Sequence, residues 1–141
     1  MNKYLYDELE IGHKEQFEVI ITEEMVAQFA LVTGDLNPLH TDLDYSKSKG
    51  NPDRVVYGML TASFLSTLAG MYLPGKYSLI HSVEVKFLKP VYVTSNTRLT
   101  ITGEVIRKDD MFKLLTLKVD MVTKEGIRIC KATMKVGVLS E

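Results

Sequence analysis

Apolar residues of this 141-residue chain follow helical spacing in its first half and a two-residue alternation after residue 77. Residues 16–21 are β-favouring, and Thr22 after them can cap a helix whose first turn is acidic. The apolar spacing predicts this helix from about Glu23 to Val32, with Gly34 placed to end it. An irregular polar segment is predicted from there to Asn51.

The stretch from Val55 to Leu73 is apolar on most faces, which predicts a helix buried on all sides. Small residues recur along it at every fourth position, so a neighbouring element is expected to approach that side closely. These residues are Gly58, Ala62, Ser66 and Gly70. The Pro74-Gly75 pair is expected to end the helix.

Beyond residue 77, apolar and polar residues alternate in four stretches, around residues 83–87, 99–103, 115–122 and 127–136. Turn-forming residues separate the stretches near residues 89, 109 and 125, so we predict four strands in an antiparallel meander with one apolar face. The buried helix is the natural cover for that face. The pattern therefore predicts a curved sheet wrapped around a central helix, or another α+β sandwich.

Composition places the chain among ordinary globular domains, with 45% hydrophobic and 25% charged residues, and its length fits one domain over residues 1–141. The 17 basic and 18 acidic residues are scattered, so a general affinity for nucleic acid is not expected. Cys130 is the one cysteine and has no partner for an intramolecular disulfide. Polar residues interrupt the longest apolar run, and the N-terminus lacks a signal-peptide pattern, so a cytoplasmic location without membrane contact is expected.

The segment from Thr33 to His40 holds the strongest chemical signal, because Gly, Asp, Asn, Pro and His are concentrated at the end of a predicted helix. Part of it is ordinary turn chemistry: a glycine stops one helix, and Asn37 caps a short new helix that begins with Pro38. Asp35 and His40 are not needed for that turn. Their two side chains could instead converge on one small cavity.

Two separated motifs resemble those of MaoC-like proteins. Thr33-Gly-Asp-Leu-Asn-Pro-Leu-His40 is similar to the motif of hydratases of the second type, and the segment from Val56 to Ser66 is similar to the helix of bacterial (R)-specific enoyl-CoA hydratases. The resemblance extends over about residues 17–93, including Val85-Lys-Phe-Leu-Lys-Pro-Val. It implies a hot-dog fold and the reversible hydration of a trans-2-enoyl-CoA to the (R)-3-hydroxyacyl-CoA.

The resemblance also implies roles for individual residues. Asp35 and His40 would share the acid/base work on one water, and the backbone N–H of Gly58 would stabilise the enolate oxygen. Asn37 would fix the loop or orient the water or the carbonyl. Ser66 matches a serine near the active site, although a serine on a buried helix often bonds back to its own helix. For Gly58, close helix packing is an equal alternative.

Tyr57 is a departure from the family, whose members commonly have histidine immediately before Gly-Met-Leu. A tyrosine keeps a hydroxyl donor but does not titrate near neutral pH, so we expect an altered pocket floor or altered thioester binding. The acid/base pair is intact, which leaves the expected reaction unchanged.

Further expectations concern partners and alternatives. His13 and His81 show no paired ligand spacing, so no metal is expected, and no cofactor beyond the CoA thioester of the substrate. By analogy with the family, the chain should form a homodimer or higher homo-oligomer. Alternative functions are dehydration of a hydroxyacyl group on acyl carrier protein, or a non-catalytic acyl-thioester-binding domain. Thioester hydrolysis is disfavoured because residues 56–73 contain no Asp or Glu.

Overall fold

One five-stranded antiparallel sheet and four helices make up the computed structural model, which describes residues 1–141. The helices are α1 (Glu23–Thr33), α2 (Pro38–Thr41), α3 (Leu43–Ser48) and α4 (Gly58–Thr67), and α4 continues as a π-helical turn over Leu68–Tyr72. The strands are β1 (Lys14–Ile20), β2 (Ser78–Phe87), β3 (Arg98–Asp109), β4 (Leu114–Thr123) and β5 (Arg128–Val138). Short 3-10 turns lie at Tyr6–Glu8 and Val93–Ser95.

Helix α1 has the two ends predicted from the sequence. The hydroxyl of Thr22 accepts a hydrogen bond from the N–H of Met25 at 3.2 Å, and Gly34 ends the helix in the left-handed conformation with φ 72°. The segment that follows is more ordered than predicted. It forms α2 and α3, because Asn37 and Asp42 each accept a capping hydrogen bond from the backbone of the helix they precede.

The strand order is β1-β3-β4-β5-β2, so the predicted meander is correct for β3, β4 and β5 and wrong for β2. Strand β2 pairs with β5 at the end of the sheet, where Phe87 lies opposite Cys130. The reason is the segment between β2 and β3, residues 88–97, which contains a 3-10 turn instead of a tight hairpin. Its length allows the chain to cross the sheet before β3 begins.

Helix α4 and its π-helical extension pack across the inner face of the sheet, which is the hot-dog arrangement expected from the sequence. Leu60, Leu65 and Leu68 belong to one continuous hydrophobic core with the inward residues of β3, β4 and β5. Gly103 on β3 allows the closest approach, since a Cβ at this position would lie 2.8 Å from Cδ2 of Leu68. The helix is therefore seated directly against the middle of the sheet.

The prediction that this helix is buried on all sides is wrong along one side. It begins at Gly58 instead of Val55, and the side chain of Met59 is 65% exposed. The helix contacts the edge strand β2 at Phe87 but leaves part of the inner face of this strand open, where Val83 is 43% exposed. Close approach to the small residues occurs at Gly58, where a Cβ would lie 3.1 Å from the ring of Phe87. No helix in the structure has the length and apolarity needed to cross a membrane.

Removal of the Leu68 side chain tests the seating of the helix. Leu68 is fully buried, so Leu68→Ala leaves a cavity and should lower the free energy of unfolding by about 2–5 kcal/mol. The matched control Leu31→Ala removes the same atoms from a residue that is 85% exposed. It should change the free energy of unfolding by less than about 0.5 kcal/mol. Urea unfolding measures both, and equal losses would contradict this packing.

Candidate functional site

Asp35 lies in the loop between α1 and α2, and His40 lies within α2, so a short, self-bonded turn connects the two residues. The N–H of Asp35 donates to the hydroxyl of Thr33 at 3.2 Å, and Oδ1 of Asp35 accepts from the N–H of Asn37 at 3.0 Å. Asn37 in turn caps α2, its Oδ1 accepting from the N–H of Leu39 at 2.9 Å. The predicted turn roles of Gly34, Asn37 and Pro38 are confirmed, but the expectation that Asp35 has no part in the turn is wrong, because Oδ1 of Asp35 accepts a hydrogen bond within it.

His40 is held in one tautomer by the strand segment that precedes α4. Its Nδ1 lies 2.6 Å from the carbonyl oxygen of Val55. A carbonyl oxygen only accepts hydrogen bonds, so Nδ1 carries the proton and Nε2 of the neutral ring has a free lone pair. The backbone adds a second link, because the N–H of Val55 donates to the carbonyl of Leu39 at 3.1 Å. The imidazole is therefore oriented with a proton-accepting nitrogen available.

Tyr57 lies between the two predicted catalytic residues. Its hydroxyl donates to the backbone carbonyl of Asp35, and its ring centroid is 4.0 Å from that of His40, with the planes tilted by 32°. Phe29 packs on the same tyrosine at a centroid distance of 4.9 Å. Burial first, and the charge of Asp35 second, raise the pKa of the Tyr57 hydroxyl, so it remains a donor at neutral pH.

Gly58 is the first residue of α4, where backbone N–H groups have no acceptor inside the helix. The side chain of Tyr57, the residue before it, makes no capping hydrogen bond. The N–H of Gly58 also makes no hydrogen bond to a backbone carbonyl of a turn or loop. The helix dipole places partial positive charge at this end. The site thus has a free, positively polarised N–H donor next to the acid/base pair.

A cavity of about 960 Å³ joins these groups, at the upper end of the size of small-molecule pockets. It is lined by Asp35, His40, Tyr57, Gly58 and Ser66, together with mostly apolar residues of α4 and β2. A second cavity of about 310 Å³ meets the first at His40, Gly58 and Phe87. Five of the six predicted site residues therefore line one cavity.

The sequence left open whether Asn37 and Ser66 have structural or functional roles. Asn37 lies outside the lining of the cavity and caps α2, so its visible contacts are structural. Ser66 lies on the cavity wall. The serine that bonds back to its own helix is Ser63, whose hydroxyl donates to the carbonyl of Leu60 at 2.6 Å.

Three residues at the site were not singled out in the sequence: Phe29, Val55 and Phe87. Val55 acts through its backbone carbonyl, which no sequence pattern reveals. Phe87 lies within the Val85-Lys-Phe-Leu-Lys-Pro-Val motif, so that motif was a usable signal. Phe29 followed the helical spacing of α1 and was indistinguishable from a core residue.

The remaining candidates lie away from this site. Nε2 of His13 lies 3.2 Å from Glu15 on β1, and His81 lies at a bulge in β2 near Gly137. Cys130 is fully buried, and this burial raises the pKa of its thiol. Cys130 lies on β5, and the raised pKa of its thiol does not favour a nucleophilic thiolate.

Comparisons with known proteins show the family of this chain. The family model described as "MaoC like domain" matches residues 8–126. An (R)-specific enoyl-CoA hydratase of Aeromonas caviae is 32% identical over 79% of this chain and 83% of its own length. A more distant relative, a mitochondrial 3-hydroxyacyl-[acyl-carrier-protein] dehydratase of Arabidopsis thaliana, is 29% identical over 60% of this chain and 50% of its own.

Among solved structures, the unliganded R-hydratase PhaJ1 of Pseudomonas aeruginosa superimposes with a TM-score of 0.88 at 26% identity. The match covers 97% of this chain and 86% of the hydratase. The family model alone spans well over half of the sequence and includes both the loop of Asp35 and the start of α4. The chain belongs to the MaoC-like family.

Proposed function

We propose that this protein is an (R)-specific enoyl-CoA hydratase, which reversibly converts a trans-2-enoyl-CoA to the (R)-3-hydroxyacyl-CoA. The observation that carries the proposal is the convergence of Asp35, His40 and the free N–H of Gly58 on one cavity. Hydration of an enoyl thioester needs a base for water, a proton donor for C2 and a donor to the thioester oxygen. The cavity offers a group for each requirement.

In each turnover the acid/base pair accepts one proton from water and donates one proton to the substrate. As the pair removes a proton from water, the hydroxide oxygen bonds to C3, and the C2–C3 double bond shifts towards the thioester as an enolate. A proton from the pair then bonds to C2, so the atoms of one water molecule are added and both side chains return to their starting states. Because Asp35 and His40 act on the same water, they are treated as one coupled pair.

The N–H of Gly58 supports the enolate intermediate. Negative charge develops on the thioester oxygen as the double bond shifts, and a fixed donor at a helix N-terminus stabilises this charge more than the neutral carbonyl. Glycine also allows the thioester to approach the backbone, since no side chain projects from this position. The packing of Phe87 against the glycine is compatible with this role.

The remaining cavity wall is suited to an aliphatic acyl chain. Met59 and Leu65 of α4 face Ile80, Val83 and Val85 of β2, and none of these side chains carries a charge. An acyl group in this space would be bound by burial of apolar surface. We propose no cofactor beyond the CoA carried by the substrate, and a cytoplasmic location remains a prediction from the sequence.

A dehydratase acting on acyl carrier protein is the second candidate, because the same pair performs the reaction in reverse and two relatives carry that name. The two candidates differ only in the carrier of the acyl group. Turnover with enoyl-CoA compared with the same acyl group on carrier protein separates them. Release of free thiol would instead indicate thioester hydrolysis, and binding without turnover would indicate a non-catalytic domain.

We also propose that two copies pair along β2 as a homodimer. One backbone edge of β2 is unpaired, and the strand exposes the large apolar side chains of Leu79, Ile80, Val83 and Phe87. Strand β1 at the other edge of the sheet exposes only Ile20 among its large apolar residues. A second β2 laid along the first would pair the free backbone groups and cover the open side of the cavity.

Substitution of the pair tests the proposed reaction. Asp35→Asn and His40→Ala should each lower kcat for hydration of crotonyl-CoA and longer enoyl-CoA by about 10²–10⁴-fold, because each removes a proton-transfer group. Loss of enoyl absorbance measures the rate. The matched controls Asp7→Asn, on a largely exposed carboxylate, and His13→Ala, beside β1 at the opposite edge of the sheet, should retain the wild-type rate. Unchanged rates in the site variants would refute the assignment.

The N–H of Gly58 can be removed without breaking the helix. Proline is tolerated at the first helical position, and the ψ of 122° at Tyr57 suits a residue that precedes proline. Gly58→Ala keeps the N–H and adds only a Cβ against Phe87, so it serves as the matched control. We expect Gly58→Pro to have a kcat about 10²–10³-fold below that of Gly58→Ala. Equal rates would show that this N–H does not contact the thioester oxygen.

A charge on the β2 edge tests the dimer. Val83→Lys places an ammonium in the proposed interface and should yield a monomer of 15.9 kDa, whereas the wild type should have twice this mass. Met111→Lys adds the same charge at a hairpin tip, where Met111 is 83% exposed, and should leave the mass unchanged. Light scattering after size-exclusion chromatography measures the mass. A monomeric wild type would contradict the proposal.

A further inference from the structure

Tyr57 lines the cavity but is almost completely buried. The residue is only 2% exposed, and its hydroxyl already donates to the backbone carbonyl of Asp35. Little of the side chain is therefore left for contact with a substrate. This differs from the role in the pocket floor or in thioester binding that the sequence suggested.

The hydrogen bond from the Tyr57 hydroxyl to Asp35 anchors the loop of residues 34–37 to the rest of the protein. Other hydrogen bonds of residues 34–37 reach at most five positions along the chain, as in the bond from the hydroxyl of Thr41 to the carbonyl of Leu36. The bond from Tyr57 spans 22 positions. Without it, the segment carrying the Asp35 carboxylate would be held only by its own exposed turn.

The ring of the same tyrosine limits the orientation of His40. The imidazole is fixed at Nδ1 by the carbonyl of Val55, and a single hydrogen bond leaves rotation about its axis. The Tyr57 ring, with its centroid 4.0 Å away, restricts that rotation. Phe29 packs against Tyr57 at 4.9 Å and limits its movement in turn.

We propose that Tyr57 is a positioning residue that holds Asp35 through its hydroxyl and His40 through its ring, so that the pair acts on one water. The inference rests on the proposed hydratase function. Tyr57 directly precedes Gly58, so it also fixes the distance from the acid/base loop to the N–H that faces the thioester. A displacement of about 1 Å in such groups lowers rates by about 100-fold.

The substitution Tyr57→Phe separates the two contacts, because it removes the hydroxyl and keeps the ring. We expect kcat to fall about tenfold or more with KM within twofold of wild type, since substrate contacts are unchanged. Tyr57→Leu removes both contacts and should lower kcat further. The matched control Tyr77→Phe removes a hydroxyl that bonds to Glu141, and should leave kcat unchanged. A raised KM with normal kcat would show instead that Tyr57 binds substrate.

A double-mutant cycle shows whether the hydroxyl acts through Asp35. In the Asp35→Asn background, Tyr57→Phe should lower the residual kcat by less than twofold, because the carboxylate that the hydroxyl positions is already lost. If the two substitutions acted independently, their effects on kcat would multiply. A further tenfold loss of kcat in the double variant would therefore overturn the inference.

A readout independent of turnover separates this inference from the proposed function. Backbone ¹⁵N relaxation should give order parameters near about 0.85 for residues 35 and 36 in the wild type and below about 0.6 in Tyr57→Phe, with no change in Tyr77→Phe. If the wild type does not hydrate enoyl-CoA but the loop loosens in this way, the proposed function fails and the positioning role stands. Unchanged order parameters overturn the positioning role whatever the activity.

Discussion

The hydrogen bond from Nδ1 of His40 to the carbonyl of Val55 is the interaction on which the site depends. It joins the short helix α2, which carries His40, to the segment that leads into α4. It also fixes the tautomer of the imidazole, so that Nε2 is the free nitrogen. The orientation of His40 and the location of the Gly58 N–H are consequently set by one local arrangement.

The second constraint is that α4 covers the inner face of the sheet unevenly. The helix and its extension are held against β3 by Leu68 and Gly103, whereas part of the inner face of the edge strand β2 stays open. This gap is the large cavity, which has mostly apolar walls and holds Asp35, His40 and Tyr57 in its lining. The same packing that stabilises the core therefore creates the space for an acyl chain.

Many of the helices, strands and site residues could be predicted from the sequence, because local signals and tertiary structure agree. Thr22 and Gly34 mark the ends of α1, and the two-residue alternation marks the strands. Asp35 and His40 stood out because the glycine stop and the Asn37-Pro38 cap explain the turn without them, although Asp35 in fact also bonds within it. The order of β2 in the sheet was not predictable in this way, since alternation identifies a strand but not its neighbour.

Other features depend on contacts that have no local signature. The roles of the Val55 carbonyl and of the Tyr57 hydroxyl arise from packing between residues 15 and 22 positions apart. The exposed side of α4 was misjudged for a related reason: an apolar face indicates burial, but it does not distinguish a packed core from the wall of a cavity.

The most direct test of the central claim follows the oxygen of water. Crotonyl-CoA incubated with the protein in H₂¹⁸O should yield 3-hydroxybutyryl-CoA with ¹⁸O at C3 and the R configuration, as read by mass spectrometry and chiral chromatography. Incorporation of ¹⁸O into a free carboxylate would show that the protein hydrolyses the thioester. Recovery of unlabelled crotonyl-CoA alone would show that the site does not catalyse hydration.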